Sequence, residues 1–225
     1  MASPRVFLIH ALRESIGPAN AAMLAGWPGA RVANLLDDSL SADLAANRGM
    51  LDDAMVGRFM DLADYARRNG ADGILFTCSA FGAAIDAVKA TLPIPVLKPN
   101  EAALELALDQ GARIALLATF QATIPSMTHE LETMARARGI VPTIMTRVVD
   151  GALTALQGGD AAGHDARIVA AAADYAKVDA LVLAQFSMAR AAAGIPAGRR
   201  RVITTPDSAV AKLRGLVQGR PAGAT

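Results

Sequence analysis

Short, unbroken apolar runs alternate with longer stretches in which apolar residues return every three or four positions. The short runs predict strands at 6–9, 31–35, 73–77, 95–97, 113–118, 143–148, 180–184 and 201–204. Most are continuously apolar rather than alternating, the pattern of strands buried on both faces. The longer stretches predict helices at 18–25, 53–69, 81–91, 101–110, 125–138, 166–177, 188–193 and 207–217. Gly70, Gly111 and Gly139 fall just past predicted helix ends, where a left-handed C-cap favours glycine. Strand and helix in strict alternation imply right-handed crossovers and parallel sheets. The fold class is α/β, built from doubly wound parallel-sheet units.

The pattern also repeats. Arg5-Val6-Phe7-Leu8-Ile9 returns as Arg113-Ile114-Ala115-Leu116-Leu117 at an offset of 108 residues. Asp72-Gly73-Ile74-Leu75 returns as Asp179-Ala180-Leu181-Val182, and Pro99-Asn100-Glu101-Ala102 as Pro206-Asp207-Ser208-Ala209, both at 107. Two pseudo-symmetric lobes are therefore expected, with the active site between them. The expected division gives residues 1–98 and 205–225 to the first lobe and 99–204 to the second, with helices free to exchange between lobes.

Composition narrows the partners. The chain has 225 residues, and its 22 Lys and Arg nearly balance 21 Asp and Glu. No clustered basic face for nucleic acid is evident. Arg199-Arg200-Arg201, the one dense basic run, reads as a solvated approach to the last strand. No apolar run has the length of a membrane span. A single cysteine excludes an intrachain disulfide framework and a cysteine-based zinc cluster, and it fits a reducing compartment. The expected location is the cytoplasm. Gly158-Gly159 with Gly163 reads as a loop and lacks the spacing of a phosphate cradle.

In open α/β sheets ligands bind beyond the carboxyl ends of the strands. Those ends carry His10, then Thr77-Cys78-Ser79-Ala80, Lys98-Pro99-Asn100, Thr119-Phe120, Ala184-Gln185-Phe186-Ser187 and Thr204-Thr205-Pro206-Asp207. Hydroxyls, amides and backbone N–H groups at helix starts are suited to holding a carboxylate. Cys78 has two readings. A helix beginning near Phe81 would lower its pKa and make it a base or nucleophile, or it is a buried and inert thiol. His10 reads either as a general acid or carboxylate partner or as a structural imidazole. Thr119 and Thr123 cap the next helix, contact ligand, or do both. His129 and His164 read as surface residues, and no pair of histidines has metal-ligand spacing.

These motifs together resemble the aspartate/glutamate/hydantoin racemase superfamily. The resemblance rests on Phe76-Thr77-Cys78-Ser79-Ala80 in the first half and Leu183-Ala184-Gln185-Phe186-Ser187-Met188-Ala189 in the second, within residues 5–217. It implies a cofactor-independent enzyme without metal, acting on a small carboxylic acid, amino acid or hydantoin-like substrate between the lobes. By the resemblance Cys78 is the first-half thiol. Ser79 and Ala80 follow as substrate contacts, and Thr119 lies on the threonine-bearing loop.

The departure is Gln185, which stands where racemases of this type carry a second cysteine. Two-cysteine racemisation is excluded, since Cys78 is the only thiol. The expectation is an isomerase or a lyase with Cys78, Gln185 and His10 as the catalytic set. Ser79, Ala80, Asn100, Thr119, Phe120, Thr123, Phe186 and Ser187 form the substrate-binding set. Single-cysteine arylmalonate decarboxylases resemble the chain but keep their cysteine in the other half. Racemisation by a Cys78/His10 pair is a further option. The alternative from another class is a non-catalytic binder or sensor of small carboxylates. Nucleic acid and membrane are not expected partners, and a homo-oligomer is compatible with the sequence.

Overall fold

Each half folds into its own four-stranded parallel sheet in a computed structural model that describes residues 3–196 and 198–219. The first sheet contains β1 (Arg5–His10), β2 (Arg31–Leu36), β3 (Gly73–Phe76) and β4 (Val96–Leu97) in the order β2-β1-β3-β4. The second contains β5 (Arg113–Ala118), β6 (Thr143–Val148), β7 (Ala180–Leu183) and β8 (Arg201–Thr204) in the order β6-β5-β7-β8. The two orders are the same, and registers correspond: Val6 pairs with Gly73 as Ile114 pairs with Ala180.

The continuous apolar runs are the central strands. Along β1, Phe7 and Ile9 enter one core while Val6 and Leu8 enter another. Along β5, Ile114 and Leu116 face one core, and Ala115 and Leu117 the other. A period of two thus persists inside runs that look uniform in sequence, because both faces of the sheet are covered. The edge strands β2 and β6 are largely exposed.

Helices α3 (Asp53–Arg68) and α4 (Gly82–Thr91) cover one face of the first sheet. The buried stripe of α3 is Met55, Phe59, Ala63 and Ala66, and the Asp52 side chain caps its start by accepting from the Met55 N–H at 2.8 Å. The other face is covered by α1 (Ile16–Gly26) and the C-terminal α9 (Thr205–Val217), whose Ala209, Val210 and Leu213 pack with Val6, Leu8 and Leu75. Helices α5 (Glu101–Gln110) and α6 (Thr123–Ala137) cover one face of the second sheet, and α8 (Ala161–Ala173) the other.

Two short helices have no counterpart in the sequence expectation: α2 (Leu40–Ala46) and α7 (Ala152–Gln157). Helices this short need tertiary support. For α2 that support is buried Leu40 and Leu44, and Arg58 of α3, which pairs with Asp37 before α2 and Asp43 within it. The expected helix at 188–193 is instead a 3-10 segment over Phe186–Gly194. Arg200 is buried rather than solvated. Among the described residues, no helix is long and apolar enough to cross a membrane.

Candidate active site

The carboxyl ends of the two sheets meet through one direct hydrogen bond. Ser79 Oγ, just past β3, donates to the Ala184 carbonyl, just past β7, at 2.8 Å. Cys78 precedes one partner and Gln185 follows the other, so both flank the same junction. Apolar residues cross it too. Phe120 and Ala122 of the second half pack against the core under α3 and α4, and Phe186 is wholly buried against Val6, Leu8 and α9. Phe186 was expected to touch substrate; it is a core residue instead.

Cys78 is 7% exposed. A 3-10 turn over Ser79–Phe81 separates it from α4, so the helix N-terminus does not act on the thiol directly. The Ala80 N–H and the Ser41 hydroxyl do favour the thiolate, but burial outweighs them and pushes the thiol up to about 11. The expected depression is therefore reversed: desolvation penalises the charged form more than two hydrogen bonds restore it. At neutral pH Cys78 rests as S–H.

Gln185 does not reach out as a free donor. Its Oε1 accepts from the Thr119 N–H at 2.6 Å and from Thr119 Oγ1 at 3.0 Å, and its Nε2 donates to Thr123 Oγ1 at 3.3 Å. The donors expected to hold a carboxylate thus hold a carboxamide oxygen of the same chain. Thr119, Thr123 and Gln185 are all buried.

His10 is fully buried at the end of β1. Its Nδ1 lies 2.8 Å from Thr77 Oγ1 and its Nε2 2.9 Å from Asn34 Oδ1. Burial lowers its pKa, against a smaller raising effect from Asn34. A neutral ring that donates from Nε2 to Asn34 and accepts at Nδ1 from Thr77 satisfies all of these contacts. Both nitrogens are then engaged inside the first half.

Asn100 lies elsewhere, buried before α5, where its Nδ2 donates to Glu130 Oε2. Ser187 is buried in the 3-10 segment after Gln185. His164, expected at the surface, is buried on α8 with Nδ1 2.8 Å from Asp165. Ala80 and Phe120 line a cavity of about 940 Å³ between the halves, whose lining also includes Lys98 and Glu130. Sequence reasoning passed over Glu130. The available signal was its place in the stripe Met127, Glu130, Leu131, Met134, where a carboxyl interrupts an apolar helix face.

A doubly wound pair of lobes with a thiol at the strand-end junction defines a class, and comparison with known proteins gives the family. The Asp/Glu/Hydantoin racemase family model matches residues 31–213. The chain belongs to that family, whose members include racemases. A search of curated proteins by sequence finds no match. Among solved structures, glutamate racemase from Bacillus anthracis matches with a TM-score of 0.74 at 13% identity, covering 100% of this chain and 85% of that one. Allantoin racemase from Klebsiella pneumoniae matches at 0.66 and 19% identity, covering 98% and 91%. A mutant of arylmalonate decarboxylase matches at 0.64 and 17%, covering 99% and 95%.

Proposed function

We propose that this protein is a cofactor-independent lyase in which Cys78 gives a proton to a carbanion formed on a small carboxylic acid. The observation that carries the reading is the burial of a lone thiol at the junction of the lobes. Cys78 sits at the junction of the lobes and burial holds it near 11, so it is protonated at neutral pH. A group that rests protonated is suited to donate rather than abstract. In the proposed step an activated dicarboxylic acid loses carbon dioxide. The C–C bond breaks and its electron pair stays on carbon as an enediolate. The Cys78 S–H protonates that carbon, and the thiolate takes a proton back from water.

Racemisation fits less well, because it needs acid–base groups on both faces of one carbon. Gln185 has no titratable proton near neutrality, and His10 has both nitrogens engaged. Isomerisation by thiolate attack is disfavoured by the scarcity of thiolate. Ser79 and Thr119 would bind the substrate carboxylate and the enediolate once opening of the junction frees their donors, with Ala80 and Thr123 beside them. We take residues 1–98 with 205–225 as one lobe and 99–204 as the other, a division supported by the packing of α9 on the first sheet. A cytoplasmic location remains part of the proposal.

The alternative is a non-catalytic carboxylate binder, and it too needs the Ser79 and Thr119 donors released from their internal partners. Proton NMR in deuterated water, with malonates, amino acids, hydantoins and maleate, separates the readings. The lyase should release carbon dioxide and place one deuteron on one face of the product. Cys78→Ala should lose roughly 100- to 10,000-fold in rate with an unchanged circular dichroism spectrum. Exchange of an α-proton with inversion would reveal a second base and end the one-thiol reading. Carboxylate binding without any reaction would establish the binder.

A further inference from the structure

The cavity between the lobes ends in a polar group that the strand-end chemistry does not use. Its walls are largely apolar and include Leu51, Ala83, Phe120, Pro125 and Met134, while neither Cys78 nor Gln185 lines it. Lys98 and Glu130 line it together. Glu130 is 7% exposed. Its Oε2 is taken by the Asn100 amide, whereas Oε1 has no hydrogen-bond partner and is sealed from solvent, so a ligand meets it only when the cavity wall shifts. The nearest charge to Oε1 is Lys98 Nζ at 3.4 Å, too long to satisfy it fully. Lys98 also pairs with Asp86 of α4 at 3.0 Å, leaving donor capacity on its ammonium.

The charged and titratable groups around Glu130 are Lys98 at the end of β4, Glu101 of α5 and Asp86 of α4. Arg48 and His129 stand on the cavity wall. An amine ligand would meet the Lys98 ammonium. A carboxylate would meet that ammonium favourably, and it would meet Glu130 favourably only when Glu130 carries a proton on Oε1. Two adjacent donors, one ammonium and one carboxyl O–H, match the two oxygens of a carboxylate. The apolar walls accept a hydrocarbon body.

We infer that this cavity, which adjoins the Cys78 junction at Ala80 and Phe120, is a second binding site for a monocarboxylic acid with an aryl-sized apolar body held by Lys98 and Glu130. Burial, reinforced by the nearby Glu101, raises Glu130 to about 7 despite Lys98, so the proton is available near neutral pH. Above that range Glu130 must take up a proton as the ligand binds. Affinity should then fall about tenfold per pH unit.

The test is isothermal titration of the full chain with phenylacetate from pH 6 to 8.5, in buffers of different ionisation heat. Wild type should bind with constant affinity below pH 7 and weaken about tenfold per unit above it, with uptake approaching one proton per ligand at pH 8.5. Glu130→Gln, whose Nε2 replaces the carboxyl donor, should bind without pH dependence. Lys98→Met should weaken binding by roughly tenfold or more. Ala83→Trp fills the cavity from an exposed position of α4 and should block binding even if Lys98→Met fails to fold. Absence of binding at pH 6, a flat pH profile in wild type, or equal affinity in Glu130→Gln and Ala83→Trp at every pH would overturn the site. Phenylacetate at the Cys78 junction would give the last of these results.

Discussion

Gln185 stands where a second thiol would make the two halves chemically equal, and its neighbours have adapted to an amide. Thr119 presents both an N–H and an O–H to Oε1, and Thr123 accepts from Nε2. A thiol is a weak acceptor and would leave the Thr119 donors poorly satisfied in a buried place. Gln185→Leu removes the acceptor outright and should cost about 1–3 kcal/mol, the range for stranding a buried polar group. Gln185→Glu keeps an oxygen on Thr119 and, protonated at pH 4, can still donate to Thr123, so it should cost less than Gln185→Leu at that pH and lose the advantage as the buried carboxyl ionises. Urea unfolding of the pair at pH 4 checks the order. An unchanged midpoint for Gln185→Leu would mean that Thr119 finds another acceptor.

The two halves share one device for starting a strand pair. Asp72 Oδ2 accepts from the Arg5 N–H at 2.7 Å, and Asp179 Oδ2 from the Arg113 N–H at 2.9 Å. This explains why Asp precedes β3 and β7 in the repeat. The second half adds a constraint at Gly111. Gly70 and Gly139 cap their helices with φ of +75° and +68°, as expected, but Gly111 has φ +149° and ψ −172°. A Cβ there would lie 2.6 Å from the Asp179 carboxylate. Gly111→Ala should therefore cost about 1–3 kcal/mol and lower the melting temperature by roughly 2–4 °C per kcal/mol. Calorimetry showing no loss would remove this account. The strands were legible because both-face burial writes itself as unbroken apolar runs, and the lobes because the runs repeat. Helices α2 and α7 were not, since their support comes from distant residues such as Arg58. The start of α8 was placed too late because its cap, Asp160, accepting from the Gly163 N–H at 2.8 Å, sits in a glycine-rich stretch that reads as loop. At the site, position along the strands located Cys78 and Gln185. It did not reveal that Phe186 turns into the core, that Asn100 serves Glu130, or that Gln185 fills the Thr119 donors. Those outcomes depend on side-chain direction, which spacing alone does not encode.

At the scale of the molecule the two lobes are joined at the place where chemistry is proposed, and this sets a condition on reactivity. Ser79 to Ala184 is a direct bond between strand ends, and Phe120, Ala122 and Phe186 lay apolar surface across the same junction. Cys78 beneath it is nearly sealed from solvent. Entry of any substrate or reagent then requires the lobes to separate locally. Iodoacetamide provides a measure of this. With the thiol raised from 9.0 to about 11, the thiolate fraction at pH 7 is about 100-fold below that of an ordinary cysteine. Alkylation should be slower by at least that factor, with a rate that climbs about tenfold per pH unit towards 11. Ser79→Ala removes the inter-lobe bond without touching the thiol and should speed alkylation at every pH below that midpoint, by exposing Cys78 more often. A rate midpoint below 9 in wild type would show that the thiol is activated rather than suppressed by its surroundings, and would turn the proposed proton donor into a base. A Ser79→Ala rate equal to wild type would show that access is governed by the apolar contacts of Phe120 and Phe186 instead.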